Sequence, residues 1–218
     1  MIERIVPAEA ATAEAFDDPP GLTLFPEEEA VIANAVDKRR REFTTVRHCA
    51  RRALARLGHG SVPILPGQQG VPRWPAGLVG SMTHCQGYRA AVLGRIGDFA
   101  SIGVDAESNE PLPEGVLDAV ARDRERAEMA GFAATYPDVC WDRLLFSAKE
   151  AVYKTWFPLT GRWLDFAEAD IAVTPDAGSF VARLLVPGPV LAGRRISSFT
   201  GRFVVSDGLI LTAIALPA

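Results

Sequence analysis

Three groups of side chains in this 218-residue sequence could carry out chemistry. The first is Asp105-Ala106-Glu107, which closes the apolar run Ala100 to Asp105. Strand side chains alternate faces, so Asp105 and Glu107 point the same way with Cα atoms roughly 6.5 to 7 Å apart. Two carboxylates that close repel unless a proton or a cation sits between them. Only oxygen ligands are in view, so the expected cation is hard, Mg²⁺ first and Mn²⁺ next. The second group is Phe146-Ser147-Ala148-Lys149-Glu150-Ala151-Val152-Tyr153-Lys154, where Glu150 and Lys154 stand four apart on one helical face. Leu144, Leu145, Ala148, Ala151, Val152, Trp156 and Phe157 make that helix apolar nearly all round. It is therefore expected to be buried, and Lys149, Glu150 and Lys154 inside it need partners. The third is Gly80-Ser81-Met82-Thr83-His84, where small residues and hydroxyls would let a phosphate or a nucleobase come close. Each group also has a plain structural reading: exposed acids at a strand end, a surface ion pair, a histidine that only packs.

A fourth feature is a block of charge. The chain carries a net −4, which argues against a general nucleic-acid binder, yet Lys38 to Arg56 holds eight basic residues and one acid. From Arg40 to Leu57 the residues Phe43, Val46, Ala50, Ala53, Leu54 and Leu57 form one helical stripe. At about 100° per residue, Arg40, Arg47 and Arg51 share one flank of that stripe. Arg41, His48, Arg52 and Arg56 fall on the far side, expected to be solvated. Guanidinium forks at the edge of a buried stripe suit phosphate oxygens.

These residues must be positioned by elements of both kinds. The pattern predicts a short helix from Pro26 to about Ala35, then the basic helix, stopped by Gly58 and Gly60. An irregular, proline-rich loop follows over residues 61 to 77. Tyr88 to Leu93 and Ala100 to Asp105 read as strands joined by a turn at Gly94 to Gly97, a hairpin or neighbouring strands. Ser108 to Gly115 breaks the pattern. One helix is predicted over Val116 to Ala130, and a longer one from Trp141 to Phe157 with Pro158 ending it. Strands near Asp170 to Thr174, Phe180 to Val186 and Phe203 to Ala215 close the chain. Helices then strands in each half suggest an α+β fold of two similar lobes, residues 1–107 and 108–218.

Composition removes other classes. Hydrophobic residues at 48% and charged residues at 23% exclude a disordered or fibrous chain. No apolar run is long enough to span a bilayer. Five acids against one arginine in the first eighteen residues is the reverse of a secretory signal, so a cytoplasmic location is expected. Cys49, Cys85 and Cys140 have no C-x-x-C spacing and indicate neither a disulfide framework nor a zinc site. There is no phosphate-binding G-x-x-x-x-G-K-[ST] loop, no G-x-G-x-x-G and no G-x-S-x-G elbow.

In this order the motifs resemble the 4′-phosphopantetheinyl transferases of the Sfp type. Gly103-Val104-Asp105-Ala106-Glu107 is similar to that family's G-[IV]-D-x-E strand end. Phe146 to Lys154 is similar to its [WF]-[ST]-x-K-E-[AS]-x-x-K helix, and Ser81-Met82-Thr83-His84 to its S-x-[ST]-H motif. The stretches TVRHCARRAL, GSMTHCQGYR and FPLTGRWLDF resemble actinobacterial members. The resemblance implies a monomeric pseudo-dimer of two lobes, each a small antiparallel sheet with packed helices, and coenzyme A in the cleft between them. It implies transfer of the phosphopantetheine arm to a serine hydroxyl of an apo acyl or peptidyl carrier protein, leaving 3′,5′-ADP. Asp105, Glu107 and Glu150 would surround Mg²⁺; Glu150 would take the serine proton, and Lys154 would balance charge on the diphosphate. Arg39, Arg40, Arg47, Ser81, Met82, Thr83, His84, Lys149 and Lys154 would line the coenzyme A site. Where relatives carry a lysine before a G-x-P turn, Gln68-Gln69 precede Gly70-Val71-Pro72 here. Arg122, Arg124 and Arg126 could offer an acidic carrier a basic landing surface. Two other readings use the same residues: a non-catalytic coenzyme A or nucleotide binder, and a Mg²⁺-dependent nuclease. The nuclease of restriction type, however, places Glu-x-Lys on a strand.

Overall fold

The computed structural model describes residues 1–218. Its first lobe sets the helix α2 (Asp37–Arg56) on an antiparallel sheet of β1 (Ala11–Ala15), β3 (Tyr88–Arg95) and β2 (Leu78–Cys85), in the order β1-β3-β2. The short helix α1 (Pro26–Val31) precedes α2. The stripe of Phe43, Val46, Ala50, Ala53 and Leu54 is buried as its spacing predicts, and Gly58 turns the chain away with φ +80°. Arg52 and Arg56 are not merely solvated. They donate to the carbonyls of Glu14 and Thr12 along β1, at 3.3 and 2.6 Å. A five-residue strand of alanines, threonine and glutamate has little propensity of its own. Pairing with β3 and Tyr88 Oη donating to Glu14 at 2.6 Å hold it in place.

β4 (Phe99–Ser108) departs from the expected hairpin or neighbouring pair with β3. It forms no ladder with β3 and pairs instead with β10 (Leu209–Pro217), near the other end of the chain. Close packing at the turn accompanies this: a side chain on Gly94 would meet the Phe99 ring at 2.3 Å. The expected division after Glu107 thus falls in the last residues of a strand that belongs to the second sheet. β2 lies beside β4 without pairing to it, and the Val104 amide donates to Ser81 Oγ at 3.1 Å.

Between β4 and the remaining strands come three helices, α3 (Val116–Val120), α4 (Asp123–Thr135) and α5 (Trp141–Thr160). The single helix expected over 116–130 is broken at Ala121-Arg122, because the buried carboxylate of Glu125 caps a new start by accepting from the Arg122 amide at 2.8 Å. Pro158 does not end α5. In the last turn it removes only its own amide bond, so the helix runs on to Thr160 and Gly161 ends it with φ +62°. The second sheet contains β5 (Ala169–Thr174), β6 (Ser179–Leu184) and β9 (Ser198–Ser206), with the small ribbon β7 (Val190–Leu191) and β8 (Arg194–Arg195) set apart. Its order is β4-β10-β9-β6-β5, all antiparallel.

The result is an α+β molecule of two helix-on-sheet lobes. One core fills the space between α2 and the three-stranded sheet, and a larger one that between α5 and the five-stranded sheet. A third cluster, including Ile2, Tyr88, Val92, Val104 and Leu211, joins the two. α5 comes unusually close to β4. A Cβ on Gly103 would lie 2.2 Å from the Ala151 carbonyl oxygen and 2.3 Å from Thr155 Oγ1. Ser101 Oγ donates to the Thr155 carbonyl at 2.9 Å, and Ser147 bonds Thr212 at 2.9 Å. Small residues along this seam bring the helix that carries Glu150 and Lys154 up to the strand that carries Asp105.

Candidate active site

A cavity of about 690 Å³ opens between the lobes. One wall is α2 and β2, with Arg39, Phe43, Arg47, Ser81, Met82 and His84; the facing wall is α5, with Glu150, Tyr153 and Lys154. Gln69 to Pro72 and the turn after α1 complete the rim. Arg47 is only 7% exposed, and its guanidinium lies 3.3 Å from the centre of the Phe43 ring one helical turn earlier. Burial pulls its pKa down to about 10, and no carboxylate is hydrogen-bonded to it; its Nε reaches the Ile64 carbonyl at 3.4 Å. Arg39 Nη1 lies 2.5 Å from His84 Nε2, and Glu42 stands 3.8 Å from His84 Nδ1. Burial, and then the Arg39 charge, hold the His84 pKa below its ordinary value. The two guanidiniums, Arg39 and Arg47, crowd one another and gain from an anion placed between them.

Across the cavity, Lys154 Nζ donates to Asp105 Oδ1 at 2.7 Å and to the Val104 carbonyl at 3.1 Å. Thr83 Oγ1 reaches the same carboxylate oxygen at 3.4 Å. Asp105 Oδ2 is buried with no hydrogen-bond partner at all. Glu107 accepts from Arg143 Nη1 at 3.0 Å. Burial first and the Asp105 charge second push the carboxyls of both Glu107 and Glu150 up. The three acids therefore share one electrostatic neighbourhood, although only Glu150 lines the cavity itself. No three His, Cys, Asp or Glu side chains are gathered tightly enough to enclose a metal by themselves. A hard divalent ion on a diphosphate does not require that, because phosphate oxygens and water supply most of its shell and one or two carboxylates suffice. An orphaned buried oxygen on Asp105, amid mutually repelling carboxylates, fits such an ion.

Several expected residues lie elsewhere. Lys149 is 3% exposed and turned into the second lobe, where Nζ meets Glu125 Oε2 at 2.8 Å and the carbonyls of Val120, Phe166 and Ala169. It does not reach the cleft, because Glu125 is fully buried there and needs its charge. Arg40 pairs with Glu29, and Arg51 binds the buried Glu28 at 2.9 Å, so of the three arginines on that flank only Arg47 faces the cavity. Arg39, in α2 one helical turn before Phe43, does face it. Thr83 sits behind the wall against Asp105 rather than in it. Arg122, Arg124 and Arg126 are engaged by Asp170, Glu128 and Asp118. Tyr153 and Arg143 were not singled out by pattern. Nothing in the sequence marks Tyr153, whose hydroxyl is buried without a partner. Arg143 did carry a signal, standing two helical turns before Glu150 on the same face.

A cleft between two helix-on-sheet lobes, cationic on one wall and acidic beside a lysine on the other, has the charges to grip a polyanion. Comparison with known proteins makes the class specific. Residues 27–94 match the model of the 4′-phosphopantetheinyl transferase N-terminal domain, and residues 101–200 that of the 4′-phosphopantetheinyl transferase superfamily. The chain is 59% identical to the 4′-phosphopantetheinyl transferase Svp of Streptomyces mobaraensis, over all of this chain and 90% of that protein. It is 51% identical to PptT of Mycobacterium tuberculosis, over 99% of this chain and 98% of that one. With enterobactin synthase component D of Salmonella typhimurium it shares 33% identity over 56% of its length and 50% of the relative's. The chain belongs to the 4′-phosphopantetheinyl transferases, enzymes that transfer the phosphopantetheine moiety to carrier proteins. The family uses coenzyme A as substrate, generally with a divalent metal. No helix is long and apolar enough to cross a membrane.

Proposed function

We propose that the inter-lobe cavity takes coenzyme A with its adenosine phosphates against Arg39, Arg47 and His84 and its diphosphate toward Lys154 and the acids. The observation that carries this reading is the convergence of two unlike walls on one space. Arginine and histidine with no competing cavity-facing acid lie on the first lobe, and Glu150 with Lys154 on the second. Ser81 and Met82 line the first wall beside them. Asp105, Glu107 and Glu150 would hold Mg²⁺, which when bound neutralises charge on the diphosphate and polarises it for attack. Glu150, its pKa raised by burial and by Asp105, takes the proton of the carrier serine directly or through one water. Lys154 holds Asp105 in place and offers its one remaining proton to the leaving diphosphate oxygen. The products are holo-carrier and 3′,5′-ADP. The enzyme acts as a cytoplasmic monomer on apo acyl or peptidyl carriers, and without nucleic acid.

The test is direct. Purified protein, coenzyme A, Mg²⁺ and a panel of apo-carriers are incubated and read by mass spectrometry, where the carrier should gain the mass of one phosphopantetheine arm. Glu150→Gln should bind coenzyme A and lose at least about two orders of magnitude in rate. Full activity in that variant removes Glu150 from the base role.

A further inference from the structure

Arg143 lies outside the cavity and is reached by a chain of contacts that the reaction so far leaves unused. It sits in the first turn of α5, two turns before Glu150 and about 10.5 Å along the same face. Each of its three nitrogens makes one bond. Nε donates to the Glu110 carbonyl at 3.0 Å, Nη2 to the Pro111 carbonyl at 2.8 Å and Nη1 to Glu107 Oε2 at 3.0 Å. The first two bonds staple the segment after β4 to the helix. That staple is duplicated: Asn109 bonds the Asp138 carbonyl and the Cys140 amide, and Asp142 accepts from the Leu112 amide. The contact to Glu107 has no such duplicate.

It does have a counterpart. Lys154, near the other end of α5, takes Asp105 by one oxygen and leaves Oδ2 unpartnered. Arg143 takes Glu107 by one oxygen and leaves Oε1 without a protein donor. One helix thus supplies one cation to each member of the Asp105–Glu107 pair, and each cation fixes one oxygen while the other stays free. A flexible glutamate has three side-chain torsions to settle, and a guanidinium anchored at two backbone carbonyls settles them before any ion or substrate arrives.

We propose that Arg143 is a positioning residue that holds Glu107 by Oε2 so that Oε1 is presented to a divalent cation on the bound diphosphate. The inference rests on the proposed role of Glu107 as a metal-side carboxylate, and its test separates the two. Mn²⁺ binding is titrated by electron paramagnetic resonance on the full chain with coenzyme A and no carrier, so that no turnover occurs. Glu107→Gln is the reference and should weaken Mn²⁺ binding. Arg143→Met, which keeps an apolar stem in a partly exposed position, should weaken it by about tenfold or more, the size expected when a partner of a metal ligand is lost. Arg143→Lys, able to keep the ion pair but not all three contacts, should fall between. Asp142→Ala loosens the same segment without touching Glu107; it should lower the melting temperature and leave Mn²⁺ affinity within about twofold, well short of the effect of losing a ligand's partner. If Glu107→Gln weakens binding and Arg143→Met does not, the positioning role is overturned while Glu107 stands. If Glu107→Gln leaves binding unchanged, the metal-side reading of Glu107 fails and takes this inference with it. Equal weakening by Asp142→Ala and Arg143→Met would reduce Arg143 to a staple of the segment.

Discussion

Adding one methyl group at Gly103 should both loosen the molecule and disable it. The Cβ of Gly103→Ala would lie 2.2 Å from the Ala151 carbonyl oxygen, 2.3 Å from Thr155 Oγ1 and 2.7 Å from the Thr155 amide nitrogen. Ordinary contact begins at 3.4 Å, so α5 must retreat from β4 by about 1 Å. Two of these three obstacles are backbone atoms, so no rotamer change relieves the clash. Overpacking of this kind costs about 1–3 kcal/mol, and backbone obstacles place it at the upper end. For a chain of this length, each kcal/mol moves the melting temperature by about 2–4 °C, so a drop of roughly 6–12 °C is expected. The same retreat carries Glu150 and Lys154 away from Asp105, and a misplacement of about 1 Å at a reacting centre can cost about 10²-fold. The assay pairs calorimetry with kcat/KM for coenzyme A and apo-carrier. Gly131→Ala is the control: Gly131 is an exposed position of α4 with nothing within 4 Å, so alanine should stabilise by up to about 1 kcal/mol through helix propensity. If Gly103→Ala melts within about 2 °C of the parent and keeps its rate, close backbone approach is not what seats α5.

Three further outcomes are expected. Lys149→Met leaves Glu125 fully buried and without its cation, which should destabilise by about 3–5 kcal/mol while KM for coenzyme A stays put; a raised KM would return Lys149 to the substrate site. Arg39→Ala should raise KM for coenzyme A by about tenfold, the scale of one charged hydrogen bond, whereas Arg40→Ala, whose partner is Glu29, should leave it unchanged. The Glu150 carboxyl of the metal-free protein should titrate above the ordinary glutamate range by carbon-13 resonance, because burial and Asp105 both penalise its charged form. A raised folded-state pKa favours the fold at acid pH and is lost as pH rises through it, so Glu150→Gln should melt higher than the parent at neutral pH and converge with it in acid. Equal melting temperatures at neutral pH would contradict that sign.

Local pattern was enough to read the two long helices, the strand end at Asp105 to Glu107 and the placing of Glu150 and Lys154 on one helical face, because each depends on a repeat of two or 3.6 residues and on which face is apolar. The order of the motifs along the chain was enough to mark the family. Partners were another matter. Nothing within Tyr88 to Asp105 reveals that β4 will leave β3 and pair with β10 more than a hundred residues later. Nothing in the helical wheel of α5 says that Lys149 turns to Glu125 while Lys154 turns to Asp105, or that Glu29 and Glu28 take Arg40 and Arg51 from the cleft. A buried charge goes to whichever opposite charge the fold brings within reach, and that neighbour comes from a distant part of the chain. Sequence marked most of the residues that could act; the packing of α5 onto β4, through Gly103, decided that Lys154 meets Asp105.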